Sequence, residues 1–210
     1  LRALDKPMDS FLDRTLELAV HSLAPQWEPA LRDGKLTLPP KHLAWLLDKK
    51  SDGDTLARIR TTLHDKPATF DPESRRALLL MLAKRGGSDD VGAALAEGIT
   101  DDALLNELAD LVESQQIKAP ANAEQVLSVL TNLVLKLGQN QSGATPRLIG
   151  LWKIKALAPA LEAMVKADAG ELAIKRESLI ALARLNAEQD LITQISADDK
   201  QPYAVRAAAV

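Results

Sequence analysis

Thr145-Pro146-Arg147-Leu148-Ile149, Ile174-Lys175-Arg176-Glu177-Ser178-Leu179-Ile180 and Ala204-Val205-Arg206-Ala207-Ala208-Ala209-Val210 each set an arginine near the start of an apolar helical stretch. The arginines recur at steps of 29 and 30 residues, with room between them for a second helix and a short turn. A fixed period of this length marks a helical-repeat array and not a compact bundle. A helix pair has two apolar faces and can bury both only by stacking on neighbours. Small residues such as Ala207 to Ala209 let stacked helices approach closely. Glu73-Ser74-Arg75-Arg76-Ala77-Leu78-Leu79 reads as a further copy, although its distance from Arg147 is not a clean multiple of the period. These stretches predict an all-α chain, and within that class an α-solenoid of helix pairs.

The rest of the chain agrees on class. Of 210 residues, 37 are Leu and 33 Ala, whereas Val and Ile together supply 18 and the aromatics six. Ala and Leu favour helix, and strands favour β-branched and aromatic side chains. The formal charge of −3 leaves no basic footprint for nucleic acid. Lys49-Lys50 and Lys153/Lys155, the densest basic stretches, are short and interrupted by apolar residues. No apolar run reaches the ~18 residues of a membrane span, and the Leu78-to-Ala83 run suits a buried helix. Without cysteine there is no disulfide, thiolate ligand or haem-attachment motif in this stretch. The chain starts at Leu1 and stops at Val210 inside an apparent helix, so it reads as a piece of something longer. One more helix is expected to cover the apolar Ala207–Val210 edge.

Apolar spacing predicts helices nearly throughout. Asp9 or Ser10 caps the first, whose stripe is Leu12, Leu16, Ala19 and Leu23, widened by Phe11 and Leu18. Pro25 starts a short segment through Trp27 that Gly34 ends, and Pro39-Pro40 launches a helix to about Lys50. Leu56, Ile59 and Leu63 mark the next. Asp71-Pro72-Glu73 opens one that Gly86-Gly87 stops. Ser88 or Asp89 caps a helix to about Ile99, and Thr100-Asp101-Asp102 the one carrying Leu104, Leu108 and Leu111. Val126, Leu130, Leu133 and Leu137 form the cleanest row, followed by the loop 138–143. Helices at 146–157, 159–168, 173–185, 188–196 and 201 onward complete the chain. The organisation read from this is an N-terminal helical segment (1–50), irregular helical repeats (51–140) and regular repeats (141–210) in one continuous solenoid.

The repeat copies resemble HEAT-like repeats of the short type, in which the second helix of each unit opens with Val-Arg-x-Ala-Ala. Val205-Arg206-Ala207-Ala208 matches that pattern, and Lys175-Arg176-Glu177-Ser178 matches at the arginine. A narrower resemblance lies in Leu1-Arg-Ala-Leu-Asp5-Lys-Pro7-Met-Asp9-Ser-Phe11-Leu12-Asp13, then Leu23-Ala-Pro25-Gln-Trp27-Glu-Pro29-Ala30-Leu31 and Gly34. This is similar to the helical segment of large exported bacterial proteins of planctomycete and verrucomicrobial type. In that family a propeller resembling sugar dehydrogenases precedes the repeats and a c-type haem domain with Cys-x-x-Cys-His follows. The resemblance implies a periplasmic or otherwise exported protein. It carries over no catalytic or haem-binding residue, because neither flanking domain lies in these 210 residues.

Chemistry-bearing residues do not assemble into a motif. His21, His42 and His64 sit on three predicted helices with no His-x₃-His pair, and metal needs convergent ligands, so each reads as a surface or edge histidine. Asp52/Asp54, Asp89-Asp90, Asp101-Asp102 and Asp198-Asp199 lie at or before helix starts, where capping and the helix dipole favour acids. Asp52-Gly53-Asp54 lacks the remaining ligands of a calcium loop. No Gly-x-Ser-x-Gly or phosphate-cradling glycine pattern occurs. The arginines at helix starts read as structural, reaching acids or carbonyls of a neighbouring unit. Trp27, Trp45 and Trp152 are the candidate interaction anchors, since exposed Trp dominates binding hot spots. Core packing is the competing role for all three.

The expectation for function is a non-catalytic scaffold or protein-interaction domain, with Trp152, Lys153 and Trp27 as its candidate surface. No catalytic, cofactor or metal residue is assigned, and the expected partner is protein. A helical-repeat enzyme, glycosylase-like or bilin-lyase-like, is the alternative from the enzyme class. The missing basic surface and missing cysteine argue against those two in turn. A free-standing adaptor is the third.

Overall fold

The computed structural model describes residues 2–5, 9–32, 35–36, 38–50, 53–65, 71–120, 123–136, 143–167 and 171–209. Among them the chain is all helix and turn, with no strand. Two compact units divide it, Leu1–Gly86 and Gly87–Val210.

The first unit holds a 3-10 turn at Arg2–Asp5 and helices α1 (Ser10–Ser22), α2 (Ala24–Arg32), α3 (Pro40–Lys49), α4 (Gly53–Asp65) and α5 (Pro72–Arg85). Asp9 caps α1, accepting from the Leu12 N–H at 2.7 Å. Asp71 caps α5 by accepting from Ser74 N–H at 3.0 Å, ahead of Pro72 in the first turn. Every residue from Leu78 to Ala83 is buried, as a run without a polar face requires. Helix α5 packs on α3 and α4, and α1 on α2 and α3. Arg75 on α5 donates to the Leu63 carbonyl of α4 at 3.0 Å. The stripe predicted on α1 is covered only in part: Leu12 and Leu16 are half-buried on the row that ends at Val20, and Ala19 is exposed. Val20 is the buried residue of that helix, while Phe11, at 80% exposure, Leu18 and Leu23 face outward. Helices α2 and α3 cover one side of α1, so a stripe widened to Phe11 and Leu18 exceeds what they hide.

The second unit holds α6 (Ser88–Glu97), α7 (Asp102–Glu113), α8 (Ala123–Lys136), α9 (Ala144–Leu151), a 3-10 turn at Lys155–Leu157, α10 (Ala158–Lys166), α11 (Leu172–Leu185), α12 (Gln189–Ala197) and α13 (Tyr203–Ala208). Its core is leucine-rich: Leu95, Leu104, Leu108, Leu130, Leu148, Leu161, Leu179 and Leu182 are fully buried. Each such side chain contributes about 1.5–3 kcal/mol relative to exposure. The row predicted on α8 is the buried one at Val126, Leu130 and Leu133, while Leu137 lies outside the described residues. Helix α9 packs on α7, α8 and α11, α11 on α10, α12 and α13, and α6 on α7 and α8.

Three boundaries differ from expectation. The helix predicted over 146–157 ends at Leu151. Lys153 takes a left-handed φ of 55°, and its N–H and that of Ile154 close onto Gly150 and Ile149 carbonyls, the reverse turn that terminates many helices. At α6 the cap is Gly87, whose N–H is taken by the Asp90 carboxylate at 2.9 Å, and Ser88 is already helical. Asp198 does not cap α13. It ends α12 and accepts from the Lys200 N–H, leaving Pro202 before α13.

Candidate interaction surface

The candidate anchors have different surroundings. Trp27, on α2, is half-buried, and its indole N–H donates to the Val20 carbonyl at 2.9 Å. That carbonyl lies in the last turn of α1, where the helix leaves acceptors unsatisfied, so Trp27 braces the corner between α1 and α2. Trp45, on α3, donates to Asp13 of α1 at 3.3 Å, and Lys49 reaches the same carboxylate at 2.9 Å. The Lys49 ammonium also sits 5.6 Å from the Trp45 ring centre, a cation–π distance. Lys49 holds the Asp13 carboxyl below its ordinary range, against burial, with Trp45 adding to the effect. Trp152 caps the C-terminus of α9, half-buried, and its buried indole nitrogen has no hydrogen-bond partner. Lys153 beside it is exposed. Trp152 and Lys153 thus share one corner of the second unit, and Trp27 lies in the first unit.

The second unit carries a charged cluster that joins three helices. Arg147 on α9 donates to Asp110 of α7 at 2.7 Å and also to Glu113 of α7. Arg184 on α11 donates to the other Glu113 oxygen at 2.8 Å. Both guanidiniums depress the Glu113 pKa, Arg147 foremost, with burial opposing. Burial alone would lower the Arg147 pKa, and Glu113 and Asp110 more than offset it, so the value is raised. Gly150 of α9 faces Ala181 of α11. A Cβ built there would lie 2.8 Å from Ala181 Cα and 3.4 Å from Arg184 Cδ. The missing side chain therefore lets α11 lie close on α9 at Ala181. Glu113 ends α7, whose last turn has no basic residue, and the helix dipole disfavours an acid there. The arginines supply the charge that the helix end does not.

Arg147 behaves as expected of a repeat arginine, reaching acids on a neighbouring helix. The other two do not: Arg176 pairs with Glu177 beside it, and Arg206 with Asp199 just ahead of its own helix at 2.8 Å. Sequence reading missed Asp110, Glu113 and Arg184. The signal was there in two acids crowding a helix C-terminus without a basic neighbour. His42 is not a surface residue. It is buried on α3, with Nε2 2.7 Å from Asp5. His21 and His64 are exposed. Asp101 caps α7 through Leu104 N–H at 3.1 Å. Asp52 and the side chain of Asp54 lie outside the described residues, as do positions 138–142 and Gly34. Among the described residues no three acidic or histidine side chains gather as a metal requires, and no helix is long and apolar enough to cross a membrane. No protein-family model, curated protein or solved structure matches this chain.

Proposed function

We propose that the chain is a non-catalytic α-solenoid of HEAT-like helix pairs, a scaffold or protein-interaction domain within a larger exported redox-type protein. The observation that supports this reading is the order of packing in the second unit. Helix α9 packs on α7 before it and α11 after it, and α13 packs on α11. Helices that meet their next-but-one neighbours in succession are what stacked pairs produce. On this reading Trp152 and Lys153 form the contact corner. A half-buried tryptophan beside an exposed lysine suits a protein partner that packs on the open part of the ring and supplies an acid to the lysine.

Two measurements test it. Reading the natural gene on both sides of these codons should reveal the propeller upstream and Cys-x-x-Cys-His downstream, and finding neither would remove the redox-protein part. Hydrogen exchange compared between the full natural protein and this 210-residue chain should show added protection around Trp152 and Lys153. Equal exchange there would remove the contact corner.

A further inference from the structure

We propose that Glu113 is a latch that sets the angle between α7 and the α9–α11 pair, so that neutralising or screening it lets the second unit flex at the α7–α9 seam. Three observations meet in this assignment. One carboxylate engages guanidiniums from two different helices, one oxygen each. The α9–α11 contact is a glycine-dependent approach with backbone of α11 within 2.8 Å of where a Cβ would stand, so these two helices move as one body. The α7 end of the latch is the electrostatically disfavoured position for an acid, so withdrawal of the arginines leaves Asp110 and Glu113 unpaired beside the negative end of α7. The groups facing Glu113 are Arg147 on α9 and Arg184 on α11, with Asp110 one turn earlier on its own helix. Exposed ion pairs are individually weak and salt-screened. The latch therefore biases an angle whose contact the leucines of α7 and α9 hold, and it releases reversibly. The proposal rests on this cluster alone and is independent of the scaffold reading.

The chain contains no cysteine, so paired spin labels can be placed without background. Ala103→Cys on α7 with Ala183→Cys on α11, both exposed positions, reports the seam. Lys153→Cys, in the turn that closes α9, with Ala183→Cys on α11 reports the α9–α11 pair. Introducing Glu113→Gln should broaden the first distance distribution toward longer separations and leave the second unchanged. Native Glu113 at ~1 M salt, where the screening length is about 3 Å, should give the same broadening. An unchanged seam distance in both conditions, or equal broadening of both label pairs, overturns the latch. Should Glu113→Gln fail to fold, the salt series on the native residue decides alone: broadening of the seam pair only supports the latch, and any other result overturns it.

Discussion

Gly150 shows how a single missing side chain organises its neighbourhood. Replacing a helical glycine by alanine ordinarily stabilises, by up to about 1 kcal/mol. Here the new Cβ would meet Ala181 Cα at 2.8 Å, and that atom is backbone that cannot turn aside. Gly150→Ala should destabilise by about 1–3 kcal/mol as overpacking does, a fall of roughly 2–4 °C in the thermal midpoint per kcal/mol. Gly53→Ala, with open space around it, should not lower the midpoint, and thermal melts of the two variants check the contrast. Glu113 makes a second residue-scale prediction. Its carboxyl titrates below the ordinary value of 4.5 in the folded chain, so its contribution is present above that value and is lost as pH falls through the depressed one. Acid unfolding followed by circular dichroism should show a shallower loss below pH 4.5 in Glu113→Gln than in the native chain. Arg147 was legible as a structural arginine from its place in the repeat. Its partners were not, because Glu113 lies 34 residues from Arg147 and 71 from Arg184, and no local pattern encodes such a meeting.

Three helix starts in this protein are written locally, and three helix ends are not. Asp9, Asp71 and Asp101 each accept an N–H three residues on, and the sequence places each cap to within a residue or two because an Asp before an apolar run has that acceptor within reach. Asp101→Ala should cost about 1 kcal/mol, within the 0.5–2 range of lost caps, as a urea titration would register. Three ends, by contrast, turn on left-handed residues that are not glycine: Gln115 after α7, Lys153 after α9 and Asn186 after α11, with φ of 60°, 55° and 52°. In each the following N–H bonds back to a helix carbonyl: Gln116 to Leu111, Ile154 to Ile149 and Ala187 to Leu182. Side chains with a Cβ are strained in this region by about 1–2 kcal/mol, and Asn tolerates it best. Gln115→Gly and Lys153→Gly should therefore raise the thermal midpoint, each by more than Asn186→Gly. This is also why the predicted 146–157 helix was too long. Glycine is the usual stop signal, and Trp152-Lys153 carries none.

For the whole molecule, the second unit has a core of its own in the leucines of α6 to α11. Residues 87–210 expressed alone should keep their helical circular dichroism and unfold in one cooperative transition. A broad, non-cooperative melt would contradict that. What the amino-acid sequence determined unaided was the class of fold and most of the helix positions. Those depend on propensity, on apolar spacing and on caps, all of which act within a few residues. The Leu78–Ala83 run had to be buried on every side, and α8 had to bury Val126, Leu130 and Leu133, because the helical period assigns them one face. Only the tertiary structure decided how much of the α1 stripe is hidden, that His42 lies inside against Asp5, and that Glu113 receives two arginines. Each of these is set by which helices lie alongside. An apolar stripe is buried only as far as its neighbours cover it, and Glu113 is matched because segments 34 and 71 residues away bring their arginines to it.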